Sequence, residues 1–205
     1  MDKNIVDILQ MHSGEFLCHS LGVACVEREE GFQHILIAPQ EPAWVSEVLE
    51  INEFFENIGS ALLYFCPQSE VAAFYLANPK EWRELEDGMF AWIEVLDDDE
   101  KREVLPSWFG QHKVIGEVPA SGNYLLCVES GAESGAIYIF DHNGLEFHKL
   151  VDSLREFILT ALDPTPRFLS YMASFMRFVT HDNYGDQWWI KELRHSCGKV
   201  VSKEV

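Results

Sequence analysis

Between Val114 and Leu162 the turn chemistry and the hydrophobic period agree on one outcome, a run of short strands closed by a helix. Val114 to Val118, Tyr124 to Val128 and Ala136 to Phe140 are apolar runs rich in β-branched and aromatic residues, each bounded by Gly, Pro, Ser or Asn. Asp141-His142-Asn143-Gly144 follows the third run. An Asn-Gly pair favours positive φ at both central positions of a tight hairpin turn, so the chain is expected to fold back through Leu145 to His148. The period then changes: Ser153 and Glu156 have capping-box spacing, and Leu154, Phe157, Ile158, Ala161 and Leu162 recur on one helical stripe. The stretch contains no recognisable reaction centre and reads as scaffold.

Elsewhere the same signals give organisation. Asn4 to Met11 reads as a short helix, and Glu15 to Glu27 and Gln33 to Ala38 as strands or irregular packed segments. Trp44, Val48, Ile51, Phe54, Phe55 and Ile58 mark one helical face, with Pro42 before its first turn and Gly59 just past its end. Leu62 to Cys66 and Ala72 to Ala77, separated by Pro67-Gln68-Ser69-Glu70, read as a strand pair. A further helix starts near Pro79 and carries Trp82, Leu85, Phe90 and Ile93, with Gly88 placed to split it. Thr165-Pro166 then opens a helical stripe of Phe168, Leu169, Met172, Phe175, Met176 and Val179.

Three segments together carry a family resemblance. They are Gly116-Glu117-Val118-Pro119-Ala120-Ser121-Gly122-Asn123-Tyr124-Leu125-Leu126, the glycine-punctuated strand pair through Gly135 with Phe140-Asp141-His142-Asn143-Gly144 at its turn, and the closing helix that starts Ser153-Leu154-Arg155-Glu156-Phe157-Ile158. This pattern resembles the SUKH superfamily, bacterial proteins related to fungal cell-wall-synthesis regulators. Phe54 to Gly59, followed by Ala61 to Phe65, resembles the helix ending that opens the family's sheet, and Asn78-Pro79-Lys80-Glu81-Trp82 resembles its tryptophan-bearing helix start. The resemblance covers about residues 43–179; Ile58-Gly59-Ser60 stands where the family often has Gly-Gly or Asn-Gly, and residues 1–42 form an N-terminal extension without a counterpart. The expectation is one α+β domain over residues 1–205, with a curved, mainly antiparallel sheet partly covered by helices and Trp82 in its core. The resemblance implies an immunity protein that neutralises a polymorphic toxin, of nuclease or deaminase type, by stoichiometric binding and without a cofactor. A regulatory or scaffold protein of the cell-wall-regulator type is the alternative, followed by a small-molecule-binding or enzymatic domain.

Charge bears on the partner. The chain has 34 acidic and 15 basic residues, a net charge of -19, which repels nucleic acid phosphates. An acidic field speeds association with a basic surface, such as a nuclease groove lined with Lys and Arg; solubility alone is the commoner reason for such a composition. The densest acidic run, Asp97-Asp98-Asp99-Glu100, suits either a partner-binding face or a solvated helix start favoured by the helix dipole. Trp188-Trp189 lies among polar residues, where a loop crossing the surface would present an interface anchor; plugging the open end of a sheet is the structural alternative and the preferred one.

Reaction chemistry finds little support. The five cysteines, Cys18, Cys25, Cys66, Cys127 and Cys197, form no C-x-x-C pair and read as small hydrophobes in a reducing compartment, with only Cys197 expected to be exposed. His142, Glu146 and His148 surround one hairpin but lack a third ligand at diagnostic spacing, so turn chemistry explains them better than metal. Ser121-Gly122 and Ser134-Gly135 form neither G-x-S-x-G nor a phosphate loop, and Glu117, Glu129 and Asp141 read as solvated strand ends. No window reaches the roughly 18 apolar residues of a membrane span, and the first residues lack a signal-peptide pattern, so a cytoplasmic protein is expected.

Overall fold

In the computed structural model, residues 5–11, 15–22, 27–39, 45–67, 70–162, 188–195 and 200–203 are described, those at 10–31 and beyond 187 by their backbone. The helical stripe from Thr165 to Val179, with Trp44 and Cys197, lies outside the described residues. The fold is α+β, and every strand pair with a defined register is antiparallel. The chain divides into two compact units, Met1–Leu36 with Leu62–Phe74 and Ile158–Val205, and Ile37–Ala61 with Tyr75–Phe157.

In the first unit, helix α1 (Ile5–Met11) precedes strands β1 (Glu15–Gly22) and β2 (Glu27–Ile37), which pair as a hairpin. The other edge of β1 pairs with β9 (Trp188–His195), which in turn pairs with β10 (Val200–Lys203). The extension of the sequence reading is thus sheet-forming, tied to residues more than 160 positions away, a pairing that no local signal announces. Strand β3 (Ser60–Phe65) contributes Tyr64, fully buried at φ 53°, its hydroxyl donating to the Ala161 carbonyl at 2.5 Å and its N–H donating to His34 Nδ1 at 3.1 Å. A left-handed tyrosine is costly, and these bonds offset the strain. The predicted strand pair is present as β3 beside β4 (Phe74–Leu76), with Ala73 N–H donating to the Leu63 carbonyl at 3.0 Å and an antiparallel bridge from Cys66 to Val71 near the turn between them.

The second unit is built around the strand order β4, β5 (His112–Val118), β6 (Asn123–Val128), β7 (Ile137–Asp141), β8 (Glu146–Val151). From β5 to β8 each strand reaches the next by a short connection, as the turn signals required, whereas the chain passes through two helices between β4 and β5. One sheet face carries Val114, Leu126, Val128 and Phe140, which form a core with Met89 and Ile93 of helix α3 (Trp82–Ile93) and with Trp108. Leu125, Cys127, Ile137 and Ile139, at the alternate positions, are also buried. Burial of both faces explains why these strands read as nearly continuous apolar runs; each large side chain removed from water contributes about 1.5–3 kcal/mol.

Three local expectations are corrected here. Helix α2 (Leu49–Asn57) starts later than its apolar spacing suggested, because the Asn52 side-chain carbonyl accepts from Val45 and Ser46 N–H and its amide donates to the Ser46 carbonyl, holding that segment as a loop. Helix α3 is not split at Gly88. The Asn143-Gly144 pair makes no two-residue turn; the loop has four residues, Asp141 Oδ1 accepts from Asn143 N–H at 3.0 Å, and the positive φ falls on Leu145. Packing of Leu145 against the core selects that longer loop.

Candidate functional site

The acidic run begins helix α4 (Asp98–Val104), which lies between α3 and β5 in the chain. Asp97 is its N-cap: one carboxylate oxygen accepts from Asp99 N–H and Glu100 N–H, each at 2.9 Å, while Glu100 accepts from Asp97 N–H at 2.9 Å. This reciprocal capping box satisfies orphan amides, and acidic residues in the first turn suit the dipole. Asp97 and Glu100 therefore have a structural job, whereas Asp98 is free for solvent and Asp99 meets Arg102 at 2.6 Å. No residue of α4 is buried.

Just upstream, Trp92 and Val95 are 41% and 74% exposed. Trp92 is held in place by its neighbours: its ring lies 4.9 Å from that of His142, and a Cβ added at Gly122 would sit 3.5 Å from Trp92 Cζ2. His142 is fixed in turn by Asn123, whose side-chain oxygen meets His142 Nδ1 at 2.8 Å and accepts from its N–H at 3.1 Å. Asn123 is buried, and Ser121 shapes its approach by donating to the Val118 carbonyl and accepting from Asn123 N–H. The segment Ser121-Gly122-Asn123 thus acts as the seat of His142 and Trp92. Sequence reasoning passed over Trp92 because it falls between Phe90 and Ile93 of the helix's apolar set; the available signal was an aromatic one position before Ile93, followed by an apolar residue among acids.

The remaining motif residues are structural. Trp82 is buried, its indole N–H donates to the Ala77 carbonyl at 2.9 Å, and Phe55 meets its ring edge-on at 5.1 Å. Gly116 sits at a register shift in β5, where a Cβ would come within 2.1 Å of the Tyr75 carbonyl oxygen. Gly135 has φ 90°. Ser153 Oγ accepts from Glu156 N–H at 3.1 Å at the start of helix α5 (Leu154–Leu162), in which Phe157 is fully buried; Glu156 reaches Asp152 N–H, one residue earlier than the expected box. Glu117 is paired across the sheet with Tyr75 and Tyr124, and burial, with Glu81 nearby, raises its pKa.

Trp188 and Trp189 open strand β9, opposite Gly22 and Leu21 of β1, and do not lie in a loop. Consecutive Trp-Trp-Ile has the aromatic and β-branched character of a strand, and that propensity overrode the polar residues on which the loop reading rested.

The groups that could serve catalysis are dispersed. Burial, with Glu129 and Glu50 nearby, pushes the Cys127 thiol up to about 12, which leaves no thiolate at neutral pH. Ser134 donates to the Glu129 carbonyl, Glu129 accepts from Ser46 Oγ at 2.6 Å, and His148 pairs with Glu146 at 3.1 Å. Among the described residues no three His, Cys, Asp or Glu side chains are grouped to hold a metal, and no helix is long and apolar enough to cross a membrane. Compared with models of known protein families, with curated proteins and with solved structures, the chain matches none.

Proposed function

We propose that this chain is a non-catalytic binding protein that acts as an immunity protein, occluding the basic substrate cleft of a nuclease- or deaminase-type toxin in a stoichiometric complex. One observation carries the reading beyond the resemblance: the acidic run stands on a helix with no buried residue, directly after a half-exposed, rigidly seated tryptophan. A net charge of -19 supplies the long-range attraction toward a Lys- and Arg-lined groove. Immunity by occlusion needs neither turnover nor a cofactor.

Co-purification from cells carrying the neighbouring genes, followed by a toxin assay against increasing amounts of the pure protein, tests this. Inhibition should saturate at one protein per toxin, and association should slow as salt screens the field over about 8 Å at physiological ionic strength. A complex that leaves the toxin fully active would reject the immunity role, and a partner that is no toxin would move the chain to the regulatory class.

A further inference from the structure

We propose that Trp92 and Val95 form the anchor of a docking surface for a protein partner that presents an apolar side chain flanked by Lys or Arg. The inference rests on the binding-protein reading and adds the contact face and the chemistry of the occupant. Trp92 is already ordered by His142, Gly122 and, through His142, by the buried Asn123, so little conformational entropy remains to be lost when a partner covers it. Val95 extends the apolar area three residues on, at 74% exposure. Around them the segment from Glu94 to Glu103 carries six carboxylates, Glu94, Asp97, Asp98, Asp99, Glu100 and Glu103, against Lys101 and Arg102, the latter engaged with Asp99.

An aromatic centre with a charged rim is the anatomy of an interface hot spot, and the sign of the rim selects its partner. Phosphate groups of nucleic acids and anionic lipid surfaces are repelled by it. A second copy of this chain would bring like-charged collars together, which disfavours self-association. A basic protein surface satisfies both the apolar centre and the acidic collar.

The test uses the full-length, isotope-labelled protein and a synthetic hexapeptide, acetyl-Lys-Arg-Leu-Phe-Lys-Arg-amide, with a control of equal charge in which Ser-Ser replaces Leu-Phe. In a titration followed by NMR, the Trp92 indole and the Val95 and Asp98 amides should shift saturably, and the control should bind about tenfold more weakly. Trp92→Ala should weaken binding about tenfold. Val95→Ser, at a site too exposed to threaten folding, should weaken it about threefold, with circular dichroism confirming the fold of both variants. Shifts centred elsewhere, equal binding of the control, or unchanged affinity in Val95→Ser would each overturn the proposal. A toxin complex that tolerates Trp92→Ala would also overturn it while leaving the immunity reading in place; peptide binding at Trp92 without any toxin inhibition would support the anchor and count against immunity.

Discussion

Gly88 lies in the middle of α3, where glycine is about 1 kcal/mol worse than alanine for a helix. It is retained for close approach: a Cβ there would sit 2.7 Å from the Tyr124 hydroxyl oxygen and 3.4 Å from Cζ. Gly88→Ala should therefore destabilise by roughly 1–3 kcal/mol in urea unfolding, through overpacking that outweighs the propensity gain. In a Tyr124→Phe background the obstructing oxygen is gone, and the same substitution should become neutral or stabilising; a cost that persists there would place the obstruction elsewhere. His112 makes a second residue-scale prediction. Its Nδ1 accepts from Gly110 N–H at 3.2 Å, so the neutral ring carries its proton on Nε2, which finds no hydrogen-bond partner among the described residues. Burial, with Lys113 beside it, lowers its pKa to about 4. The unfolded chain, titrating near 6.5, takes up that proton first as the pH falls, so stability should drop between about pH 6.5 and pH 4, by a contribution of order 3 kcal/mol. His112→Leu should flatten the slope of unfolding free energy in that window, and an unchanged slope would show that other groups produce it.

Helix α4 shows what holds an element that contributes nothing to the core. With no buried residue, its stability rests on the Asp97 and Glu100 capping box, the first-turn acids and the Arg102 to Asp99 pair. An exposed pair of that kind is worth little, and an isolated helix of two turns is marginal, so the cap dominates. Asp97→Ala should cost about 0.5–2 kcal/mol locally and accelerate amide exchange across Asp98–Val104, with almost no change in the protection of β6. Equal acceleration in both elements would mean that α4 unfolds only with the whole molecule. The same reasoning decides which acids to reverse in a steering experiment: Asp98→Lys with Asp99→Lys leaves the cap intact, and should slow association more than it speeds dissociation.

For the molecule as a whole, the charge of -19 acts on stability as well as on encounter. Ion pairs such as Lys149 with Glu133 and Asp152 are exposed, and with 34 acidic against 15 basic residues the carboxylates are in excess, so their mutual repulsion is left uncompensated. Raising the ionic strength from ~10 mM to ~150 mM shortens the screening length from about 30 to 8 Å and should raise Tm at pH 7. A Tm that falls with salt would show that attractive pairs outweigh the repulsion.

What the sequence determined by itself was local. Val114 to Leu162 could be read as four antiparallel strands and a helix because period, turn residues and capping residues all lie within a few positions of what they specify, and the burial of Leu154, Phe157 and Ile158 followed from spacing alone. What the tertiary structure decided involved partners distant in sequence. The pairing of β1 with β9 depends on segments at opposite ends of the chain. The selection of Leu145 as the left-handed residue depends on the core beneath it, and the seating of Trp92 depends on Gly122 and His142, about thirty and fifty residues downstream. Hydrophobic spacing places a side chain on a face; whether its neighbours cover it or hold it open to a partner is settled only when distant segments pack, because burial is a property of the assembled surface.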